Sequence, residues 1–278
     1  YNKAYKTQLC PQFDINYNNL KYNLRFSVGR TIRSADFTER FYNNNYSDTL
    51  SPGRNIGNPD LSSENSLNLE LGFDYKKFKN TLFKSTIFYR QSSNLIDWVI
   101  LNSNEIETSI NLFENESYLF AQNISKLNTL GLETEIWFDL LREKKINING
   151  SIGYLKIFSA ENTGNIFNES SLSSKYLANN SGDIFNYNLI FHWKKFKLNF
   201  NGKYKNRDNE TEVGINQELT KSYFVHNFNL NYNINKHGSI NFEIINALNT
   251  NYADILGAIM PKRWSIIGVK YILNNRNN

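Results

Sequence analysis

Between residues 224 and 234, Phe224, Phe228, Leu230, Tyr232 and Ile234 alternate with Asn227, Asn229, Asn231 and Asn233, and His226 breaks the apolar set. An extended chain points successive side chains to opposite faces, so this segment predicts a strand with one greasy face and one amide face. The beat recurs along the chain. Leu67, Leu69, Leu71, Phe73 and Tyr75 stand against Asn68, Glu70, Gly72 and Asp74, and Phe196, Leu198, Phe200 and Tyr204 against Lys197, Asn199, Asn201, Lys203 and Lys205. Eleven strands are predicted, near residues 9–17, 21–30, 64–76, 81–101, 118–138, 145–158, 183–193, 196–207, 222–234, 239–246 and 263–273. Short links (18–19, 76–80, 139–145, 194–195 and 235–238) alternate strictly with long ones (31–63, 102–117, 159–182, 208–221 and 247–262). Every long loop therefore falls on one side, as in barrels with short periplasmic turns and long extracellular loops. The expected fold class is all-β, an antiparallel transmembrane β-barrel.

Other architectures fit less well. A sandwich of this length should show more even loops, and a propeller a repeat near 40 residues. Neither pattern is present. There is no run of 18 apolar residues, which excludes a membrane-spanning helix. A barrel strand needs an apolar residue only at every second position, so a mean hydropathy of -0.55 is compatible with a wall in lipid. Pro52, Pro59 and Pro261 sit in long loops and Pro11 at a strand start, where a missing amide does no harm. The formal charge of +5 comes without a Lys/Arg run, so no nucleic-acid partner is expected. Cys10 stands alone, which excludes a disulfide framework and a cysteine zinc cluster.

Bacterial barrels close with an even number of strands, and an open sheet edge is untenable in hydrocarbon. Eleven strands thus predict closure by strands beyond this sequence. The start YNKAYKTQ, without a leader pattern, is read the same way, as a fragment with residues 1–273 as barrel and 274–278 as a polar tail.

Three stretches carry a resemblance. Asn58, Pro59, Leu61 and Glu64 form an Asn-Pro-x-Leu-x-x-Glu strand entry after the Arg-containing segment at 30–43. Gly131, Glu133 and Glu135 lie in a Gly-x-Glu-x-Glu strand, and Asn246, Asn249 and Tyr252 precede a closing strand. Together they resemble the C-terminal half of TonB-dependent outer-membrane receptors, which implies about eleven of 22 strands, with the plug and the N-terminal strands absent. The resemblance implies energised uptake of a small nutrient in the bacterial outer membrane, with a TonB complex acting through the missing N-terminal region. Residues 252–264, YADILGAIMPKRW, and the NIGNPDL stretch at 55–61 are most similar to cobalamin receptors, with siderophore or haem next. A passive porin-like or adhesin barrel is the alternative. No enzymatic activity and no cofactor are expected.

Candidate ligand-binding residues in the loops are Arg33, Arg40, Arg54, Trp98, Tyr252, Met260, Arg263 and Trp264: cations for an anionic ligand or lipopolysaccharide phosphate, aromatic rings for stacking. Trp98, Trp137, Trp193 and Trp264 near strand ends equally fit an aromatic girdle at headgroup depth. Gly268, Tyr271 and Leu273 match the terminal signal resembling that read by the barrel-assembly machinery. His192, His226 and His237 are scattered, so no metal site is expected. Glu133 and Glu135 share one face, as polar residues of a barrel interior would.

Overall fold

The computed structural model describes residues 7–78, 80–124, 126–142, 146–162, 181–207, 219–255 and 258–273. The polar tail at 274–278 and most of the long links 159–182 and 208–221 lie outside these residues. Eleven strands form one antiparallel sheet in the order β1-β2-β4-β5-β8-β9-β10-β11-β12-β13-β16. They are β1 (Gln12–Asn18), β2 (Tyr22–Arg33), β4 (Glu64–Phe78), β5 (Thr81–Ser93), β8 (Lys126–Arg142), β9 (Ile146–Asn162), β10 (Ser181–Trp193), β11 (Phe196–Arg207), β12 (Ser222–Asn233), β13 (Gly238–Ile245) and β16 (Trp264–Tyr271). The meander of eleven strands expected from the sequence is the one observed.

Register turns the two-residue beat into two continuous faces. Residues directly opposite in an antiparallel pair share a face, so Phe73, Ser85, Thr134, Tyr154, Phe185, Tyr204 and Phe224 form one cross-sheet row. Further rows on the same face add Leu71, Ile87 and Leu132, and Leu189, Phe200 and Phe228. These side chains are the opposite of a core: Leu71 is 56% exposed and Ile267 74%. So large an exposed apolar surface is a lipid-facing one. On the same face, at the short-turn end, Trp193 stacks on Phe196 and Phe196 tilts against Tyr232, as a girdle residue would. The girdle reading fails for the other tryptophans. Trp137 and Trp264 lie on the opposite, polar face, and Trp98 leaves the wall altogether.

The expected strands 81–101 and 118–138 are each two strands. Asn94 adopts a left-handed φ of 55° and ends β5. The chain beyond it, β6 (Leu95–Asn102), pairs with β7 (Ser117–Ile124) and β7 with β3 (Asn55–Ile56), making a separate three-stranded sheet on the long-loop side. Leu-Ile-Asp-Trp-Val-Ile-Leu at 95–101 is nearly continuous apolar sequence, the pattern of a strand covered on both faces rather than of a wall strand. The principal hydrophobic clusters lie here. Leu50, Ile56, Ile106, Ile110, Tyr118 and Phe120 form one, and Ala35, Leu61, Ile96 and Ala121 another. The segments 34–63 and 94–124 thus build a packed cap.

Left-handed turns account for five asparagines. Asn43, Asn94, Asn115, Asn246 and Asn249 all have positive φ, tolerated by Asn because its short side chain hydrogen-bonds locally. Within the wall, the Phe88 ring lies across Gly131, so close that a Cβ there would overlap it. On the edge strand β16, Ser265, Ile267, Val269 and Tyr271 face the apolar side while Gly268 faces the polar one. Both edge strands, β1 and β16, lack an outer neighbour among the described residues.

Phe200→Arg on the apolar face is expected to destabilise the membrane-embedded protein by about 2–4 kcal/mol, whereas Asn201→Arg on the other face costs little; unfolding from bilayers by urea checks both. Tyr118 donates to Leu50 O at 2.7 Å and accepts from Phe113 N at 3.0 Å. Tyr118→Phe therefore removes the partner of a buried carbonyl and of a part-buried amide and should cost the cap about 1–3 kcal/mol. Faster amide exchange at 50–56 and 113–120 with the wall unchanged is the expected readout.

Candidate functional site

Two charged assemblies stand on the long-loop side. In the first, α1 (Phe37–Phe41) opens with a capping box: the Asp36 carboxylate accepts from Glu39 N at 2.7 Å, and Glu39 accepts from Asp36 N at 2.9 Å. This box fixes Glu39 for Arg33, which grips Glu39 at 2.9 Å and Glu64 at 2.5 Å. Glu64 also accepts from Ile96 N at 2.8 Å and so ties the cap to the wall. Arg33 is thus engaged by two carboxylates. Arg40 corrects the expectation of a ligand-facing loop residue. It is 2% exposed and donates to Pro59 O at 2.6 Å and Leu61 O at 2.7 Å, because a buried guanidinium must satisfy its donors with carbonyls of the folded loop. The Asn-Pro-x-Leu-x-x-Glu element is therefore a clasp: Leu61 enters the cap core, Pro59 and Leu61 hold Arg40, and Glu64 holds Arg33. Trp98 meets Tyr42 edge-on at 6.4 Å and packs on the Leu61 cluster. Arg54 is exposed at the start of β3.

The second assembly went unread in the sequence. Lys203, Lys205 and Arg207 occupy every second position of β11, all on the polar face, and Tyr223 lies opposite Lys205 on β12. The last long loop carries β14 (Ala253–Ile255) and β15 (Ala258–Ile259). It lays Asp254 on this row: Lys205 at 2.7 Å, Arg207 at 2.6 Å and Lys203 at 3.9 Å. Arg207 is 0% exposed and also donates to Thr220 O and Asp254 O. The Tyr223 ring stacks on Tyr252 at 4.4 Å. Burial opposes ionisation of Asp254, but hydrogen bonds from Lys205 and Arg207 outweigh it and hold the carboxyl well below its usual range. Three cations face one carboxylate.

Asn246 holds the loop that presents Asp254. Fully buried at φ 51°, it donates to Thr250 O and Pro261 O and accepts from Thr250 N. Of the candidate residues in this loop, Tyr252 joins the cluster. Met260 N donates to Tyr252 O at 2.9 Å, Arg263 N to Asn249 at 3.1 Å, and Trp264 is half exposed at the head of β16. The alternation Lys-Tyr-Lys-Asn-Arg at 203–207 held the missed signal, three cations on one face. Its acidic partner lies 49 residues from Lys205, beyond any local pattern. Glu133 and Glu135 fall on the polar face, Glu135 opposite Lys84. Among the described residues no cluster of His, Cys, Asp or Glu could hold a metal ion.

Residues 1–247 match the family described as TonB dependent receptor-like, beta-barrel. Solved structures of the same fold include the siderophore receptor PirA from Acinetobacter baumannii, with 16% identity and a TM-score of 0.63 over 94% of this chain and 40% of that one. The outer membrane transporter YddB from Escherichia coli aligns at 13% identity and a TM-score of 0.62, over 91% of this chain and 39% of that one. The siderophore receptor PirA from Pseudomonas aeruginosa does so at 13% and 0.61, over 95% and 42%. No curated protein matches. The chain spans about two fifths of the length of these structures. Its apolar face is the lipid face of an outer-membrane wall, its polar face the inner one, and the chain belongs to the TonB-dependent receptor β-barrel family.

Proposed function

We propose that this chain is the C-terminal part of the barrel of a TonB-dependent receptor for energised uptake of a scarce nutrient across the outer membrane. The match over residues 1–247 carries the reading. The polar inner face supports it, because a lumen lined by Arg25, Asp74, Lys84, Glu133 and Glu135 suits a wet interior filled by a plug rather than a packed apolar core. The plug and the segment that engages the TonB complex belong to residues preceding this chain. The nutrient is a small solute entering from the long-loop side. Structures with the same fold include a siderophore receptor, an iron transporter and a copper transporter, which favours a metal-bearing solute. Cobalamin rests on the sequence of residues 252–264 and of the NIGNPDL stretch at 55–61.

Three contacts outside the ligand site complete the proposal. Lipid and lipopolysaccharide meet the apolar face, with Trp193 and Tyr232 at one boundary. The barrel-assembly machinery reads Gly268, Tyr271 and Leu273 on and just beyond the edge strand β16, whose outer side has no neighbour among the described residues and so allows strand addition. Of the candidate residues, Arg54 and Arg263 in the loops and Trp264 at the head of β16 are exposed and available to an arriving solute.

Cells deleted for the gene should lose growth on limiting siderophore-bound iron, or on limiting cobalamin if that is the nutrient. Complementation should restore it only while the proton-motive force is intact. Entry that persists with an uncoupler present would mark a passive barrel and overturn the receptor reading.

A further inference from the structure

The second charged assembly holds more positive charge than its own carboxylate balances. Lys203, Lys205 and Arg207 face Asp254, an excess of two charges among the described residues. The excess is graded in accessibility. Arg207 is sealed behind the carboxylate, the Lys205 side chain is 10% exposed, and the Lys203 side chain is 45% exposed toward the lumen. One polar atom at the back of the assembly, Arg207 Nε, has no hydrogen-bond partner among the described residues, on a side chain 0% exposed, while the buried Tyr223 hydroxyl adds a further donor toward Asp254. Buried donors are normally satisfied, and a guanidinium presents five of them in a fork shaped for an oxyanion.

Asp254 differs in kind from the cations it meets. Lys203, Lys205 and Arg207 stand on a wall strand whose ladder fixes them from both sides. Asp254 stands on the three-residue β14, paired only with the two-residue β15. Beyond its contacts to the row, the segment around β14 is held by the Tyr223–Tyr252 stack, by Ala253, which donates to Thr220 Oγ1 and whose carbonyl accepts from Thr220 N, by Met260 N on Tyr252 O, and at its base by Asn246. A cationic row on the wall is thus capped by an anion carried on a short loop strand rather than on the wall itself.

We propose that Lys203, Lys205 and Arg207 form an anion site on the inner wall whose internal occupant is Asp254, and that a soluble multivalent carboxylate or similar oxyanion solute displaces it. This deepens the uptake reading by naming the charge class of its solute, and rests on that reading for the solute's origin. The exchange needs no new buried charge, because one oxyanion replaces another against the same three donors. It frees the segment around Asp254 from the wall, so that binding and release of the last long loop are one event.

The test uses the protein extracted in detergent from the outer membranes of its own cells, with citrate as probe and glucose as uncharged control. Calorimetry should show citrate binding that weakens as salt rises, and none for glucose. Lys203→Gln should weaken it about fivefold, the size of one partly exposed charge contact. Asp254→Asn should strengthen it by a similar factor, because the competing carboxylate is gone while an amide oxygen remains for Arg207. Amide exchange at 252–255 should quicken on adding citrate to the wild type. An Asp254→Asn protein that binds citrate no better than wild type overturns the proposal, since a purely structural clasp would give that result. So does citrate binding untouched by Lys203→Gln, or no binding at all. The two readings fail separately. Energised uptake that survives with no citrate response removes only the anion site, and a citrate response without energised uptake removes only the receptor reading.

Discussion

The backbone ladder is what everything else hangs on. In hydrocarbon an unpaired N–H or C=O has no water to turn to, so a wall in lipid must satisfy each group between strands. Ten antiparallel pairings do so from β1 to β16. Once the ladder is set, its register allows no freedom in the side chains: a slip of one residue would exchange the faces, placing the amides of β12 in lipid and its Phe, Leu and Tyr residues in the lumen. The same register places three cations of β11 side by side on the inner wall.

The ladder also dictates where packing can occur. A wall one sheet thick has no interior, and its apolar residues are exposed. Conventional burial is left to the long-loop side, where β3, β6 and β7 enclose two clusters and the Arg33–Glu39–Glu64 contacts tie them to the rim. The cap is therefore a small hydrophobic domain set on a membrane wall. Its stability derives from apolar burial and satisfied polar groups, and that of the wall from the ladder and the lipid.

This division explains what could be read from the sequence. Wall strands announce themselves by a period of two, and all eleven were legible because lipid on one side and water on the other impose the beat at every position. The cap strands were not, because β6 is covered on both faces and its apolar run merges with the alternation of β5; only Asn94 marks the break. Single residues in loops were harder still. Arg40 reads as a solvated loop cation in one dimension, and only the fold of 36–61 turns it inward onto two carbonyls. The partnership of Lys205 and Arg207 with Asp254 is likewise tertiary, made by a loop returning across the lumen side of the wall.

The direction of the edge strands limits how the wall can be completed. In an antiparallel meander of eleven strands the first and last run the same way, here from the long-loop side toward the short turns. Two copies set edge to edge with their loops on one side would meet at both seams as parallel strands, and inverting one copy would put its cap on the wrong side of the membrane. Antiparallel pairing at both edges requires a closing set whose outer strands both run the other way, which is an odd number of strands. Odd added to odd gives the even total that closed bacterial barrels show. The direction of β1 and β16 thus argues against self-closure by a second copy and for a complementary segment of opposite sense.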